Sequence, residues 1–298
     1  MTQYADPTAV FNAERPRLVR LAYRMLGSLH EAEDVVQNAW LRWSEQDPAK
    51  IHAPGAFLSR IVTRLCLDDM KSARARRETY VGTWLPEPLV EAEGDITDNV
   101  TLPLMMALER LSPLERAAFV LHDVFDVPLD EVALTLDRDP AAVRQLAVRA
   151  RRHVRETRPR YPIDRSEGER IATAFFEAAR SGDTDHLRAM LADDVIVRSD
   201  GGGKVFAYPK PIIGLENVLR LFEGLSHKYG PEAFEMVAPM RIDGLPGYAS
   251  LEHGTLLQAT ALEFEEGRIT AIYITRNPDK LKHVARTVGD AGGPSVGH

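Results

Sequence analysis

The stretch from Pro140 to Arg160, PAAVRQLAVRARRHVRETRPR, sets seven arginines against one glutamate in a chain whose formal net charge is -7. Arginine carries a rigid fork of donors that suits a guanine edge or a phosphate, and glutamine can pair with adenine. Val143, Ala147, Ala150 and Val154 recur four, three and four residues apart. A helix of that period buries them and turns Arg144, Gln145, Val148, Arg149, Arg151 and Arg152 outward. Asp139-Pro140 is a capping pair for this helix. Before it, Leu129, Val132, Ala133 and Leu136 trace a shorter helix that stops at Asp137-Arg138-Asp139. Helix, tight turn and basic helix together suit a reader of the major groove. A solvated basic face is the plain alternative.

Other chemistry is sparse. Cys66, the one cysteine, lies in an apolar helical run and can form neither an internal disulfide nor a multi-thiolate zinc site. The glycines of Gly201-Gly202-Gly203-Lys204 suggest a phosphate loop, but the longer spacing is missing and Val205 stands where Ser or Thr is required. No metal or cofactor is implied. Whole-chain acidity excludes indiscriminate coating of nucleic acid, so any binding must come from locally clustered arginine. Neither a secretory leader nor a run of about 18 apolar residues is visible, which predicts a cytoplasmic chain with no membrane partner.

Three compositional regions must position these groups. Residues 1–77 make the first region, which reads as helices from 8 to 75, with Gly27-Ser28 closing one and opening the next. HEAEDVVQNAWLRW carries its acids in the first turn and an apolar stripe of Val35, Val36, Ala39, Trp40 and Trp43. AFLSRIVTRLCLDDMKSARARR follows, with six basic residues against two acidic ones from Arg60 to Arg77. Residues 78–100 form an acidic linker: Gly82 to Val100 has five acids, no Lys or Arg, and two prolines that forbid a continuous helix. Trp84 and Leu85 suggest that it docks. Helical pattern returns over 101–162, where Ser112-Pro113-Leu114-Glu115 has the form of a capping box. Residues 166–283 change class, with two helices, a strand, a helix near Leu215 to Tyr229, then strands at Phe234 to Ile242, Tyr248 to His253, Leu256 to Phe264 and Ile269 to Arg276. This predicts an α+β cone with a curved antiparallel sheet. The Gly-rich residues 284–298 read as a flexible tail.

In this order the pieces resemble the group 4, or extracytoplasmic-function, bacterial RNA polymerase sigma factors with a fused C-terminal SnoaL-like (NTF2-like) domain, of the SigJ-like type. The resemblance covers nearly the whole chain. It implies a multi-domain fold: two all-α DNA-binding domains, sigma region 2 and a helix-turn-helix region 4, plus the cone. EAEDVVQNAWLRW is similar to the region 2.2 helix that docks on the polymerase β′ subunit, which implies polymerase contacts at Asp34, Gln37 and Asn38; Asn38 stands where glutamate is common. AFLSRIVTRLCLDDMKSARARR is similar to regions 2.3 and 2.4, which read the -10 element as the duplex opens. That implies DNA contacts at Arg60, Arg64 and Lys71, with the loop near Ser44 to Gly55 pocketing an extruded base. Trp40, Trp43 and Phe57 could stack on bases, although their helical spacing favours a core role. VRQLAVRARRHV resembles region 4.2, which implies -35 readout by Arg144, Gln145 and Arg149 and phosphate contacts by Arg151, Arg152 and Arg155.

Three further motifs mark the subgroup: WLPEP at Trp84 to Pro88, DGGGK at Asp200 to Lys204, and NPDKL at Asn277 to Leu281. They imply an intramolecular regulatory contact at Trp84, Leu85, Pro86, Asp200, Gly201, Lys204, Asn277 and Asp279. The expected partners are core polymerase through β′ and β, promoter DNA, and the chain's own C-terminal domain, with a small ligand in the cone as a further option. The expectation is a transcription initiation factor and not an enzyme. Two other readings stay open: a helix-turn-helix regulator with a ligand-sensing domain, and acid-base chemistry in the cone by Asp200, His227, His253 and Arg276.

Overall fold

A computed structural model describes residues 6–46, 51–91, 100–154 and 164–290, with backbone alone at 71–78 and 290. The chain divides into two units, residues 1–78 with 104–157 and residues 79–103 with 158–298.

In the first unit, α1 (Pro7–Leu26) ends where Gly27 takes a left-handed φ of 73° and donates its N–H to the Tyr23 carbonyl at 2.7 Å. Ser28 then opens α2 (Leu29–Ser44), its hydroxyl accepting from the Glu31 N–H at 3.2 Å. These two helices pack with α3 (Pro54–Glu78) around Leu18, Leu21, Met25, Val35, Val36, Leu58 and Val62. Trp43 is 1% exposed and donates its indole N–H to the Pro7 carbonyl at 2.9 Å. Phe57 lies 6.1 Å from the Trp43 ring, and Phe11 lies 5.0 Å from Trp40. These aromatic side chains therefore belong to packing, as their helical spacing favoured.

The second helical group of this unit is α4 (Leu102–Leu108), whose first two residues fall in the other unit, with α5 (Pro113–Phe119), α6 (Leu129–Leu136) and α7 (Pro140–Val154). The capping box at Ser112 forms in full: Ser112 Oγ accepts from the Glu115 N–H, and the Glu115 carboxylate accepts from the Ser112 N–H. Val120–Val124 continues α5 as one π-helical turn. The two helical groups meet at Arg116, which is 1% exposed. Its Nε donates to the Arg24 carbonyl near the end of α1 at 3.0 Å and its Nη1 to Glu109, while Nη2 has no partner.

The second unit wraps α8 (Arg165–Ser181), α9 (Thr184–Met190) and α10 (Leu215–Tyr229) against a six-stranded sheet. Its strands are β1 (Leu191–Asp200), β2 (Ile212–Ile213), β3 (Phe234–Ile242), β4 (Leu245–Glu252), β5 (Leu256–Glu265) and β6 (Arg268–Thr275), in the order β2-β1-β6-β5-β4-β3. The core between helices and sheet is built on Phe175, Phe176, Leu191, Phe222, Leu262 and Ile272. Register shifts leave extra residues in β1, β3 and β6, which bend the strands as bulges do and curl the sheet. Positive φ at Asp243-Gly244 and Glu266-Gly267 makes the tight turns that join β3 to β4 and β5 to β6.

Two expectations need correction. The sheet is mixed, because β1 runs parallel to β6 and is connected to it through α10 and the hairpins; alternating apolar pattern reports a strand but not the direction of its neighbour. The tail expected from residue 284 begins instead as α11 (Lys282–Asp290), with Leu281, Val284 and Val288 buried. Their spacing places all three on one helix face, a signal that the neighbouring glycines obscured.

Candidate nucleic-acid interface and linker clasp

On α7, Val143, Leu146, Ala147, Ala150 and Val154 are buried, and Arg144, Gln145, Val148, Arg149, Arg151 and Arg152 are exposed. The basic row is not bare. Arg149 Nε donates to Glu115 at 2.7 Å, Arg151 Nε to Asp123 at 2.6 Å, and Arg144 reaches Asp130 at 3.5 Å. Burial opposes ionisation of Glu115, but the hydrogen bonds from Arg149 and Ser112 outweigh it and hold its carboxyl below the usual range. Three arginines of the row are thus folded back onto acids of the same helical group, an aspect sequence periodicity did not reveal. Arg155 lies outside the described residues.

Asp34, Gln37 and Asn38 lie exposed on one stripe of α2, with Leu41 at i+7 from Asp34 and 56% exposed in line with them. The same spacing in the sequence could have added Leu41 to the set. On α3, Arg60 is half-buried with its Nε unpartnered, and Arg64 is exposed and makes a long hydrogen bond from Nε to the Thr135 carbonyl at 3.4 Å. The side chain of Lys71 lies outside the described residues, as do 47–50 of the loop named for base capture.

In the second unit, the segment after Thr79 is fastened to the cone. Asp200, at the end of β1, is completely buried. Its carboxylate accepts from Tyr80 Oη at 2.6 Å, the Leu85 N–H at 2.9 Å, Lys280 Nζ at 2.8 Å and the Gly202 N–H at 3.0 Å. Lys280 also donates to the Leu85 carbonyl, and its ammonium sits 4.3 Å from the Trp84 ring centre and 4.7 Å from that of Tyr80. Asn277 donates from Nδ2 to Tyr80 Oη at 2.8 Å. Burial, then the hydrogen bond to the Asp200 carboxylate, hold the Tyr80 phenol above its usual pKa. A side chain could not replace the hydrogen at Gly202, since its Cβ would fall 2.2 Å from the Asn277 amide.

The three motifs converge on one carboxylate. Leu85 and Pro86 are buried and Trp84 half-buried; Gly201 is buried with no room for a Cβ. Lys204 is exposed and pairs with Asp279 at 2.6 Å, a bond separate from the four that reach the Asp200 carboxylate. Lys280 and Tyr80 are the members that sequence reading missed; Lys280 was present in NPDKL, whereas Tyr80 carries no motif of its own.

A second set of contacts lies further along. Val90 bridges to Ile242 on the free edge of β3. The Asp243 N–H donates to the Leu89 carbonyl at 2.9 Å and the Glu91 N–H to the Arg241 carbonyl at 3.1 Å. Glu91 pairs with Arg241 at 3.2 Å and accepts from the Gly244 N–H, and the Leu102 N–H donates to the Asp243 carbonyl at 3.0 Å. The linker therefore adds a short strand to a sheet edge.

Between the sheet and α10 lies a partly open cavity of about 270 Å³, lined from β1, β6 and their neighbours. Of the four residues considered for acid-base chemistry, Arg276 lines it; Asp200 faces the linker, and neither His227 nor His253 is part of the lining. Among the described residues no cluster of His, Cys, Asp or Glu could hold a metal ion, and no helix is long and apolar enough to cross a membrane.

Residues 10–76 match Sigma-70 region 2 and residues 101–154 match Sigma-70 region 4. The chain is 38% identical over 292 residues to ECF RNA polymerase sigma factor SigJ of Mycobacterium tuberculosis, which covers 91% of this chain and 92% of that protein. It is 32% identical over 297 residues to the probable ECF RNA polymerase sigma factor SigI of the same organism, covering 97% of this chain and 99% of the relative. The crystal structure of M. tuberculosis SigJ superimposes with a TM-score of 0.74 at 33% identity, over 92% of this chain and 98% of that one.

Proposed function

Because this chain belongs to the ECF RNA polymerase sigma factors, directing promoter transcription with an alternative specificity, we propose that its C-terminal cone controls that activity in cis by gripping the linker between regions 2 and 4. The single observation behind this reading is the buried Asp200 carboxylate, which takes donors from the linker on one side and from NPDKL on the other. In sigma factors the corresponding segment runs through the basic channel that polymerase reserves for RNA. Residues buried against a cone cannot lie in that channel, so the docked linker opposes initiation and its release permits it.

In the same reading, the α2 stripe of Asp34, Gln37, Asn38 and Leu41 docks on the β′ subunit, with Leu41 as the apolar centre. Arg60, Arg64 and Lys71 meet the -10 region, and Arg144, Gln145, Arg149, Arg151 and Arg152 meet the -35 region. The sole carboxylate in the cavity lining, Glu252, is tied to Arg276 and Gln258, which supports a non-catalytic cone. The chain acts in the cytoplasm, where polymerase is.

Reconstituted transcription with core polymerase over a promoter library tests the proposal. Asp200→Asn is expected to raise output from the responsive promoters several-fold over the unaltered chain. Equal or lower output, with the variant folded, removes the inhibitory clasp.

A further inference from the structure

The cavity between β1, β6 and α10 has no part in the clasp, yet it is built in a way that packing does not require. Its walls are apolar, contributed by Val197, Leu225, Phe234 and Ile274 and by the Phe206–Tyr208 segment. Against them stand Arg220, Lys228 and Arg276 with one carboxylate, Glu252. Glu252 is already engaged by one guanidinium nitrogen of Arg276 and by the Gln258 amide, while Arg276 Nε has no partner. The lining is therefore apolar in body and positive in balance. Its volume of about 270 Å³ is near the lower end for small-molecule sites, room for roughly two fused rings and a side group.

We propose that this cavity binds a small aromatic or polycyclic molecule carrying one anionic group, the rings against the apolar walls and the anion toward Arg276, Arg220 and Lys228. Its position gives the ligand a route to the linker. Side chains alternate along β1, so Ser199 lines the cavity while its neighbour Asp200 holds Tyr80 on the opposite side, and just past the end of β6 Arg276 lines the cavity while the next residue, Asn277, also holds Tyr80. Phe206, a lining residue that is 69% exposed, lies two residues after the end of DGGGK. This consequence rests on the clasp reading; the binding site itself does not.

Two fluorescent probes applied to the full chain test the site: anionic 8-anilinonaphthalene-1-sulfonate and its neutral relative N-phenyl-1-naphthylamine. Saturable binding at one site per chain is expected, with the anion about 10-fold tighter. Gly224 on α10 lines the cavity, and a Cβ there meets nothing within 4 Å, so Gly224→Trp should close the mouth and abolish binding of both probes. Ile274→Trp, filling the cavity from β6, should do the same. The pair Arg220→Gln and Lys228→Gln, both on the exposed face of α10, should erase the preference for the anion and keep the neutral probe. Equal binding to the unaltered chain and to both folded tryptophan variants, or no preference for the anion, overturns the proposal. Such a result would leave the clasp standing, since Asp200→Asn is read by transcription and not by these probes.

Discussion

A carboxylate withdrawn from water survives only where donors replace the lost hydration, and Asp200 has four of them, one cationic. Three come from other segments of the chain and the fourth from the glycine loop, where Gly202 has a left-handed φ of 62° and a Cβ would run into the Asn277 amide, which explains why the motif needs its glycine there. The two halves of the Asp200–Lys280 pair are unequal. Lys280 without Asp200 keeps the Leu85 carbonyl and two ring faces, whereas Asp200 without Lys280 keeps three neutral donors around a full charge. Breaking a buried pair costs about 3–5 kcal/mol when one charge is left behind. Lys280→Met, which strands the anion, is therefore expected to destabilise the C-terminal unit more than Asp200→Asn, each measured by denaturant unfolding of the full chain followed at Trp84. The reverse order would mean that the ammonium, not the carboxylate, is the poorly solvated partner.

Among the elements, α5 and α7 show how a basic helix is kept quiet in an acidic protein. Glu115 belongs to the capping box that starts α5 and also takes Arg149 from α7, so one side chain joins helix geometry to the basic face of α7. Glutamine serves in a capping box as well as glutamate does. Glu115→Gln thus removes the charge while keeping the cap, and it is expected to tighten binding of a -35 duplex several-fold, as measured by fluorescence anisotropy, because Arg149 no longer has to leave a carboxylate to reach a phosphate. The same substitution should change acid stability. The folded-state pKa of Glu115 lies below its ordinary 4.5, so its contribution is complete above about pH 4.5 and is lost as the pH falls through the lowered value. Unfolding midpoints of the two chains should therefore converge on acidification through that window, with the unaltered chain ahead above it. The helices, caps and buried faces of this region were legible because helical period and Ser-Pro-x-Glu chemistry are local. The acids folded onto the arginines were not, since Glu115 and Arg149 are joined only by tertiary packing.

For the molecule as a whole, the decisive quantity is how far regions 2 and 4 can separate. Promoter elements about 25 base pairs apart lie on the order of 80 Å from each other along B-form DNA at about 3.4 Å per step. Regions 2 and 4 are in contact at Arg116 and Arg24, so they must part to span that distance. The contact is poised for it: Arg116 is buried with one nitrogen unpartnered, which leaves much of its desolvation penalty uncompensated. The chain between Tyr80 and Leu102 could extend to roughly 75 Å if free, but Tyr80, Leu85, Leu89, Glu91 and Leu102 are bonded to Asp200, Arg241, Asp243 and Gly244 of the cone. From the sequence, docking was foreshadowed by Trp84 and Leu85 in an otherwise polar tract; the edge-strand pairing of residues 89–91 was not, because pairing with β3 requires knowing which strand is left at the edge. Hydrogen exchange reads the docked state directly. The Leu85 and Glu91 amides are bonded to the cone, so both should exchange slowly in a tract whose prolines would otherwise suggest an open chain. Asp200→Asn combined with Glu91→Gln should speed both amides by at least about 100-fold, equivalent to a loss of about 2.7 kcal/mol in local opening free energy, while amides of β4 and β5 keep their protection. If those strands lose protection as well, the linker is an integral part of the cone's fold; if the linker amides alone are released, it is a detachable strap, as cis control requires.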